Sequence, residues 1–172
     1  MLLITVSFYK YLGITINQHL NFELISNAQT EPASRALSAV LPKMIKNNGF
    51  PLKIYELLYN SCVTSISDYG HEVIGFHQYP AIEKLHSKAL RFYLGTGKTA
   101  PLCGLRSEMS WPEPRSRTQA RMFGYYLHLR DLPDDRITKK VFLFDQNFSQ
   151  KHTNQMCWSS EIKQILTRTN LL

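Results

Sequence analysis

An apolar stripe at helical spacing runs through the middle of the sequence, between residues 80 and 94. Its members are Ile82, Leu85, His86, Ala89, Leu90 and Tyr93. Lys84, Lys88 and Arg91 recur at similar spacing on another side of the same segment. Because an α-helix turns every 3.6 residues, the pattern predicts a helix with one buried side and one cationic side. We interpret His86 as a histidine at the edge of the core.

Apolar residues recur at helical spacing over most of the chain, whereas they recur at every second position only near its start. Further helices are predicted over residues 23–47, 51–63, 101–110, 115–129, 137–144 and 158–171. Pro32 is expected to kink or break the first of these, and Ala120, Phe123, Tyr126 and Leu127 are expected to form the core face of the helix at 115–129. Within residues 2–16, apolar residues alternate with others, which is typical of a strand or a small hairpin. The sequence thus predicts a mainly α fold, a helical bundle preceded by a short N-terminal β-strand or hairpin.

The chain is basic, and its charge is unevenly distributed. Twenty Lys and Arg against 13 Asp and Glu give a net charge of +7. Residues 32–55 hold basic side chains and no acid, and residues 84–121 are also strongly basic. A surplus of this kind favours a polyanionic partner, with nucleic acid ahead of an acidic membrane. A solvated surface with a positive average explains the same pattern, and this alternative stays open.

The remaining composition argues against several classes of protein. Cys62, Cys103 and Cys157 are far apart and show neither disulfide-framework nor zinc-ligand spacing. The opening MLLITV is too short for a signal peptide, and no later run approaches membrane-spanning length. We therefore expect reduced thiols, no cofactor, no membrane contact, and a soluble intracellular protein of the nucleus or the cytoplasm.

Residues 95–99, GTGKT, look like part of a nucleotide-binding phosphate loop. That loop requires a further glycine where this chain has Phe92, and it follows a strand rather than a helix. The alternative is that Gly95 ends the preceding helix in a left-handed conformation and Pro101 prevents its resumption. We favour this alternative, in which Lys98 meets a phosphate of a polynucleotide backbone.

Several segments, taken in order, resemble the region that follows the polymerase palm in reverse transcriptases of non-LTR retrotransposons, mobile elements of the LINE or jockey kind. The resemblance covers residues 8–171. The segments are FYKYLGITI (8–16), SRAL (34–37), YGHEV (69–73), IEKLHSKALR (82–91), LGTGKTAPLC (94–103), MSW (109–111), LPDDRITKKVF (132–142) and WSSEIK (158–163).

The resemblance implies a division of the chain into four parts. Residues 1–18 would be a β segment like the primer grip, 19–145 a helical thumb or post-palm domain, 146–156 a linker, and 157–172 a C-terminal amphipathic helix. Its implied partner is an RNA/DNA template–primer duplex. The residues expected to contact that duplex are Lys10, Gly13, Lys84, Lys88, Arg91, Lys98, Arg117 and Arg121.

The family's catalytic residues are missing from this sequence. Its polymerases hold Mg²⁺ with paired aspartates in a Tyr/Phe-Ala-Asp-Asp turn, which does not occur here. Asp134 and Asp135 follow Leu132-Pro133 and are better explained as helix-capping residues. We therefore expect a truncated fragment that is not an enzyme on its own, with Mg²⁺ relevant only to the full-length polymerase. The surface that once met the palm could mediate self-association. The alternative is a small basic helical domain that binds an acidic protein and has no nucleic-acid role.

Overall fold

The computed structural model describes residues 7–19, 21–151 and 157–168. The described chain is mainly helical and begins with a two-stranded antiparallel hairpin, which confirms the predicted fold class. It forms two compact units: one from Met1–Gly70 and Gln78–Pro114, the other from His71–His77 and Arg115–Leu172, within the described ranges. This division cuts across the segment 19–145 that the sequence grouped as one domain.

The first unit consists of the hairpin and six helical segments. Its strands are β1 (Phe8–Tyr11) and β2 (Ile14–Asn17). Its helical segments are α1 (Phe22–Lys46), α2 (Leu52–Tyr59), a π-helical turn (Asn60–Thr64), α3 (Ser65–Ser67), α5 (Pro80–Tyr93) and α6 (Leu102–Met109). Helix α4 (His71–Ile74) belongs to the second unit.

The hairpin turns at two residues with positive φ. Leu12 has a φ of 47° and Gly13 a φ of 88°, and Tyr11 pairs with Ile14 across the turn. Two consecutive residues with positive φ are typical of the tight turns that match the twist of a hairpin. Strand β2 packs against α1, whereas the side chains of β1 are exposed. Gly13 is therefore required by the turn itself.

Helix α1 begins at an asparagine cap and runs without interruption through two prolines. The Asn21 side chain accepts hydrogen bonds from the backbone N–H groups of Glu23 (3.0 Å) and Leu24 (3.3 Å). A kink or a break was expected at Pro32; the helix continues past it, so a break is wrong. Side chains on both sides of that proline are buried, among them Ile25 and Leu37. Their burial outweighs the hydrogen bond that the proline removes.

The core of the first unit is organised around the buried ring of Tyr55. This ring stacks on Tyr93 (ring centroids 4.8 Å apart) and on Trp111 (5.8 Å). Its hydroxyl donates a hydrogen bond of 2.9 Å to the carbonyl oxygen of Ala89 in α5. Burial, followed by the neighbouring Tyr93, raises the pKa of Tyr55 above its usual value. His86 is also buried, deeper than the core-edge position predicted, and its Nδ1 lies 3.3 Å from the Tyr59 hydroxyl oxygen. These contacts fix α5 against α2.

The second unit contains α4 and three longer helices. These are α7 (Pro114–Asp131), α8 (Ile137–Lys151) and α9 (Trp158–Arg168). Met122, Ile162 and Leu166 form its buried centre, with Trp158 packed against them. The Trp158 ring N–H donates to the Glu72 carbonyl oxygen at 3.2 Å, which joins α9 to α4.

The buried face of α7 matches the predicted one only in part, because Phe123 and Tyr126 pack against the buried centre of the unit as expected. Thr118, Met122 and Leu129 are buried, whereas Ala120 is exposed. Met122 and Thr118 lie beside Gly75, where a Cβ atom would approach their side chains to 3.3 and 3.0 Å. Apolar residues occur on more than one side of this segment, so spacing alone did not identify the side that packs beside Gly75.

Helix α8 extends into the segment predicted to be a linker. It is helical as far as the described residue Lys151, so the expectation that a linker starts at residue 146 is wrong for 146–151. Residues 152–156 lie outside the described ranges. Phe144 and Phe148, one helical turn apart, stack with ring centroids 6.3 Å apart. Ser149 is buried. These contacts stabilise a turn of helix whose sequence is otherwise polar.

Candidate nucleic-acid interface

Helix α5 presents its lysines as the sequence predicts. Ile82, Leu85, Ala89 and Leu90 are buried in the core of the first unit. Lys84 and Lys88, one turn apart, are exposed on the opposite side. The Lys88 ammonium lies 3.4 Å from the Ser38 hydroxyl oxygen of α1, at the limit of a hydrogen bond. The two ammonium groups therefore remain accessible to a polyanion.

The loop after α5 turns back along the helix because of Gly95. This residue has a φ of 61°, and the following Thr96 N–H donates to the Arg91 carbonyl oxygen at 3.0 Å. A left-handed glycine that ends a helix in this way is a common C-terminal cap. The prediction for Gly95 is confirmed. As a result, Lys98 is returned to the side of the helix that carries Lys84 and Lys88.

Arg91 holds this loop in place. Its guanidinium donates hydrogen bonds to the carbonyl oxygens of Gly97 (2.5 Å) and Ala100 (2.8 Å), and its Nε donates to the Ser87 hydroxyl oxygen at 3.2 Å. The side chain is half-buried. Arg91 therefore adds positive charge to the site, but its N–H groups are largely occupied by protein acceptors. Its first role is to shape the loop.

The lysines and Arg91 border one open groove with a volume of about 620 Å³. Its lining residues are Glu83, Lys84, Ser87, Lys88, Arg91, Phe92, Thr96, Gly97, Lys98 and Leu102. Four of these are cations and one is an acid. The Glu83 carboxylate lies 2.6 Å from the Arg106 guanidinium, which compensates its charge. The groove is thus strongly positive, and we call it the lysine groove.

Arg106 does not line the groove, but it pairs with Glu83, and the sequence did not predict this contact. It sits in α6 and also approaches the Glu113 carboxylate, at 3.8 Å. Because Glu83 and Arg106 are far apart in the chain, no local spacing indicated that they would pair. The pair keeps the one acidic lining residue from opposing the cations.

The other predicted contact residues lie elsewhere. Lys10 and Gly13 line a separate cavity in the first unit, bordered by the hairpin and α1. Arg117 and Arg121 lie on α7, in the second unit, and both are half-buried. Of the eight predicted residues, the structure brings Lys84, Lys88, Arg91 and Lys98 together in the lysine groove.

No sequence family, curated protein or solved structure matches this chain. In the described ranges no three His, Cys, Asp or Glu side chains are grouped to hold a metal ion. Among the helices that the structure describes, none has the length and apolar character needed to cross a membrane.

Proposed function

We propose that this chain is a truncated reverse-transcriptase fragment of a non-LTR retrotransposon that retains binding to a template–primer duplex. The proposal joins the order of the sequence segments to one structural observation: four cations border a single groove, and Glu83, the acid among its described lining residues, is paired. The groove meets the RNA or DNA phosphate backbone, and no catalysis is attributed to the fragment, because the palm aspartates are absent from the sequence.

The geometry of the lysines suits phosphates rather than bases. Lys84 and Lys88 are separated by one helical turn, a rise of about 6 Å along α5. Ammonium groups on flexible stems act as point charges and impose no particular angle on their acceptor. Contacts of this type position a duplex without reading its sequence. They weaken steeply as the salt concentration rises, because binding then gains less free energy from the release of counterions. The fragment should therefore bind duplexes of different sequence about equally.

The test is the salt dependence of binding to a labelled RNA–DNA duplex, measured by fluorescence anisotropy. The variant Lys84→Gln/Lys88→Gln/Lys98→Gln removes the lysine charges of the groove. Each lost phosphate contact reduces the magnitude of the slope of log K against log salt by about 0.9, so the three together should reduce it by roughly 2.7.

A matched control separates the groove from net charge. Lys43→Gln/Lys46→Gln/Lys53→Gln removes the same charge from exposed lysines of the same unit that do not line the groove. The control should keep most of the slope. Equal losses in both triples would reject the groove as the site. Failure of the native chain to bind any polynucleotide, at any salt concentration, would favour the alternative of a protein-interaction domain.

A further inference from the structure

A second cavity in the first unit lies between the hairpin, α1 and the segment that follows the π-helical turn. It has a volume of about 540 Å³, within the range of small-molecule sites. Its polar lining comes chiefly from Lys10, Thr15, Gln29, Arg35, Ser65 and Tyr69. These residues do not overlap with the lysine groove. We call this cavity the hairpin pocket.

The hairpin pocket contains a buried amide without a protein partner. Gln29 is 5% exposed, and neither its Oε1 nor its Nε2 forms a hydrogen bond within the described residues. An unsatisfied buried donor and acceptor both destabilise a protein, so such groups are rare without a reason. The terminal torsion of glutamine is soft, and a small rotation turns the amide towards a bound molecule. The partner must offer an acceptor and a donor side by side.

Cations border the same pocket. Lys10 on β1 is exposed, and Arg35 on α1 is held by one ion pair, of 2.6 Å, to Glu31. Glu31 also lines the pocket, so two positive charges against one negative charge leave a net +1. Because the Arg35–Glu31 pair is well exposed, it is weak and leaves further guanidinium N–H groups available. The pocket therefore favours an anionic group beside the amide.

An aromatic ring also borders the hairpin pocket. Tyr69 is 47% exposed and lines the pocket. Its Cε1 lies 4.0 Å from the position of a Cβ built on Gly13, so the ring lies close to the hairpin turn. A half-exposed tyrosine ring at the edge of a pocket provides a surface on which a planar base can stack.

We propose that the hairpin pocket binds an adenine nucleotide through Gln29, Tyr69 and the cations Lys10 and Arg35. Adenine carries adjacent acceptor and donor atoms, N7 and the N6 amino group, that match the two polar atoms of a glutamine amide. Its ring stacks on Tyr69, and its phosphate lies between Lys10 and Arg35. This site does not rest on duplex binding by the lysine groove, since the two share no lining residue.

Calorimetric titration of the full chain with AMP, adenosine and inorganic phosphate tests the proposal. AMP should bind at least about tenfold more tightly than phosphate, because base and phosphate contacts add. Gln29→Leu should weaken AMP binding by about tenfold or more and leave phosphate binding unchanged. Lys84→Gln/Lys88→Gln serves as the control and should keep native AMP affinity.

A folding defect is separated from loss of binding by a second variant. Tyr69→Ala alters a half-exposed side chain and should weaken AMP while the far-ultraviolet circular dichroism spectrum stays native. AMP affinity equal to that of phosphate would overturn the proposal, and so would an unchanged AMP affinity in both Gln29→Leu and Tyr69→Ala. Loss of duplex binding in the lysine-groove triple with AMP binding retained would support two separate sites, as the lining residues indicate.

Discussion

Replacing Arg91 by methionine should destabilise the first unit far more than replacing its exposed neighbour Lys88. Both residues are cations on α5, and both were predicted from sequence to contact phosphates. The structure gives them different roles. Arg91 donates hydrogen bonds to the carbonyl oxygens of Gly97 and Ala100, whereas Lys88 makes a single contact, with the Ser38 hydroxyl at 3.4 Å.

The magnitude follows from the hydrogen bonds that are lost. A hydrogen bond from a charged donor contributes about 1.5 to 3 kcal/mol, and both carbonyl acceptors lose theirs in Arg91→Met. Arg91 is only half-buried, so water replaces part of the loss, and we expect a destabilisation of about 2 kcal/mol. Lys88→Met alters an exposed position and should change stability by less than about 0.5 kcal/mol.

Urea unfolding followed by tryptophan fluorescence measures the difference. Trp111 lies in the core of the first unit and Trp158 in the second, so both variants are made in a Trp158→Phe background. With a slope of about 2 kcal/mol per molar urea, Arg91→Met should lower the midpoint by roughly 1 M. Arg91→Lys keeps the positive charge but lacks the planar guanidinium, so it should be little more stable than Arg91→Met. Equal midpoints for Arg91→Met and Lys88→Met would refute the assignment of Arg91 as the residue that holds the loop.

Three further predictions concern other parts of the fold. Asp145→Ala should destabilise the start of α9, because the Asp145 carboxylate accepts hydrogen bonds from the Ser159 backbone N–H at 2.9 Å and from the Ser159 hydroxyl. Loss of such a cap costs about 1 kcal/mol and should speed amide hydrogen exchange in α9. Tyr55→Phe should reduce the loss of stability at alkaline pH. In the native protein the raised pKa of Tyr55 keeps the hydroxyl protonated in the folded state while it ionises in the unfolded state. Above about pH 10 this residue therefore lowers the free energy of unfolding by roughly 1.4 kcal/mol per pH unit. Iodoacetamide should label exposed Cys103 well before Cys157, whose pKa is raised by burial and then by Asp145, as mass spectrometry of the peptides would show.

Each of these has an outcome that contradicts it. Unchanged exchange in α9 would mean that the Asp145 contacts do not hold the helix. An identical alkaline unfolding curve for Tyr55→Phe would show that the Tyr55 hydroxyl is not protected, since only a group protonated in the folded state and ionised in the unfolded state gives this slope. Labelling of Cys157 at the rate of Cys103 would contradict its burial.

The local features of this chain were determined by the sequence alone. The side of α5 that is buried, the end of that helix at Gly95 and the hairpin all followed from spacing or from the conformational freedom of one residue. These features depend on residues within a few positions of one another, so periodicity and capping rules identify them. The placement of Lys84 and Lys88 on one exposed side belongs to this class.

Contacts between distant segments were decided only by the tertiary structure. The pairing of Glu83 with Arg106, the unsatisfied amide of Gln29 and the path that brings Lys98 back to α5 depend on how separate elements pack. Packing also overrode local rules: α1 passes through Pro32 because core contacts on both sides hold it. Burial of apolar surface is contributed by the whole unit, and at single positions it outweighs a local preference of a few kcal/mol.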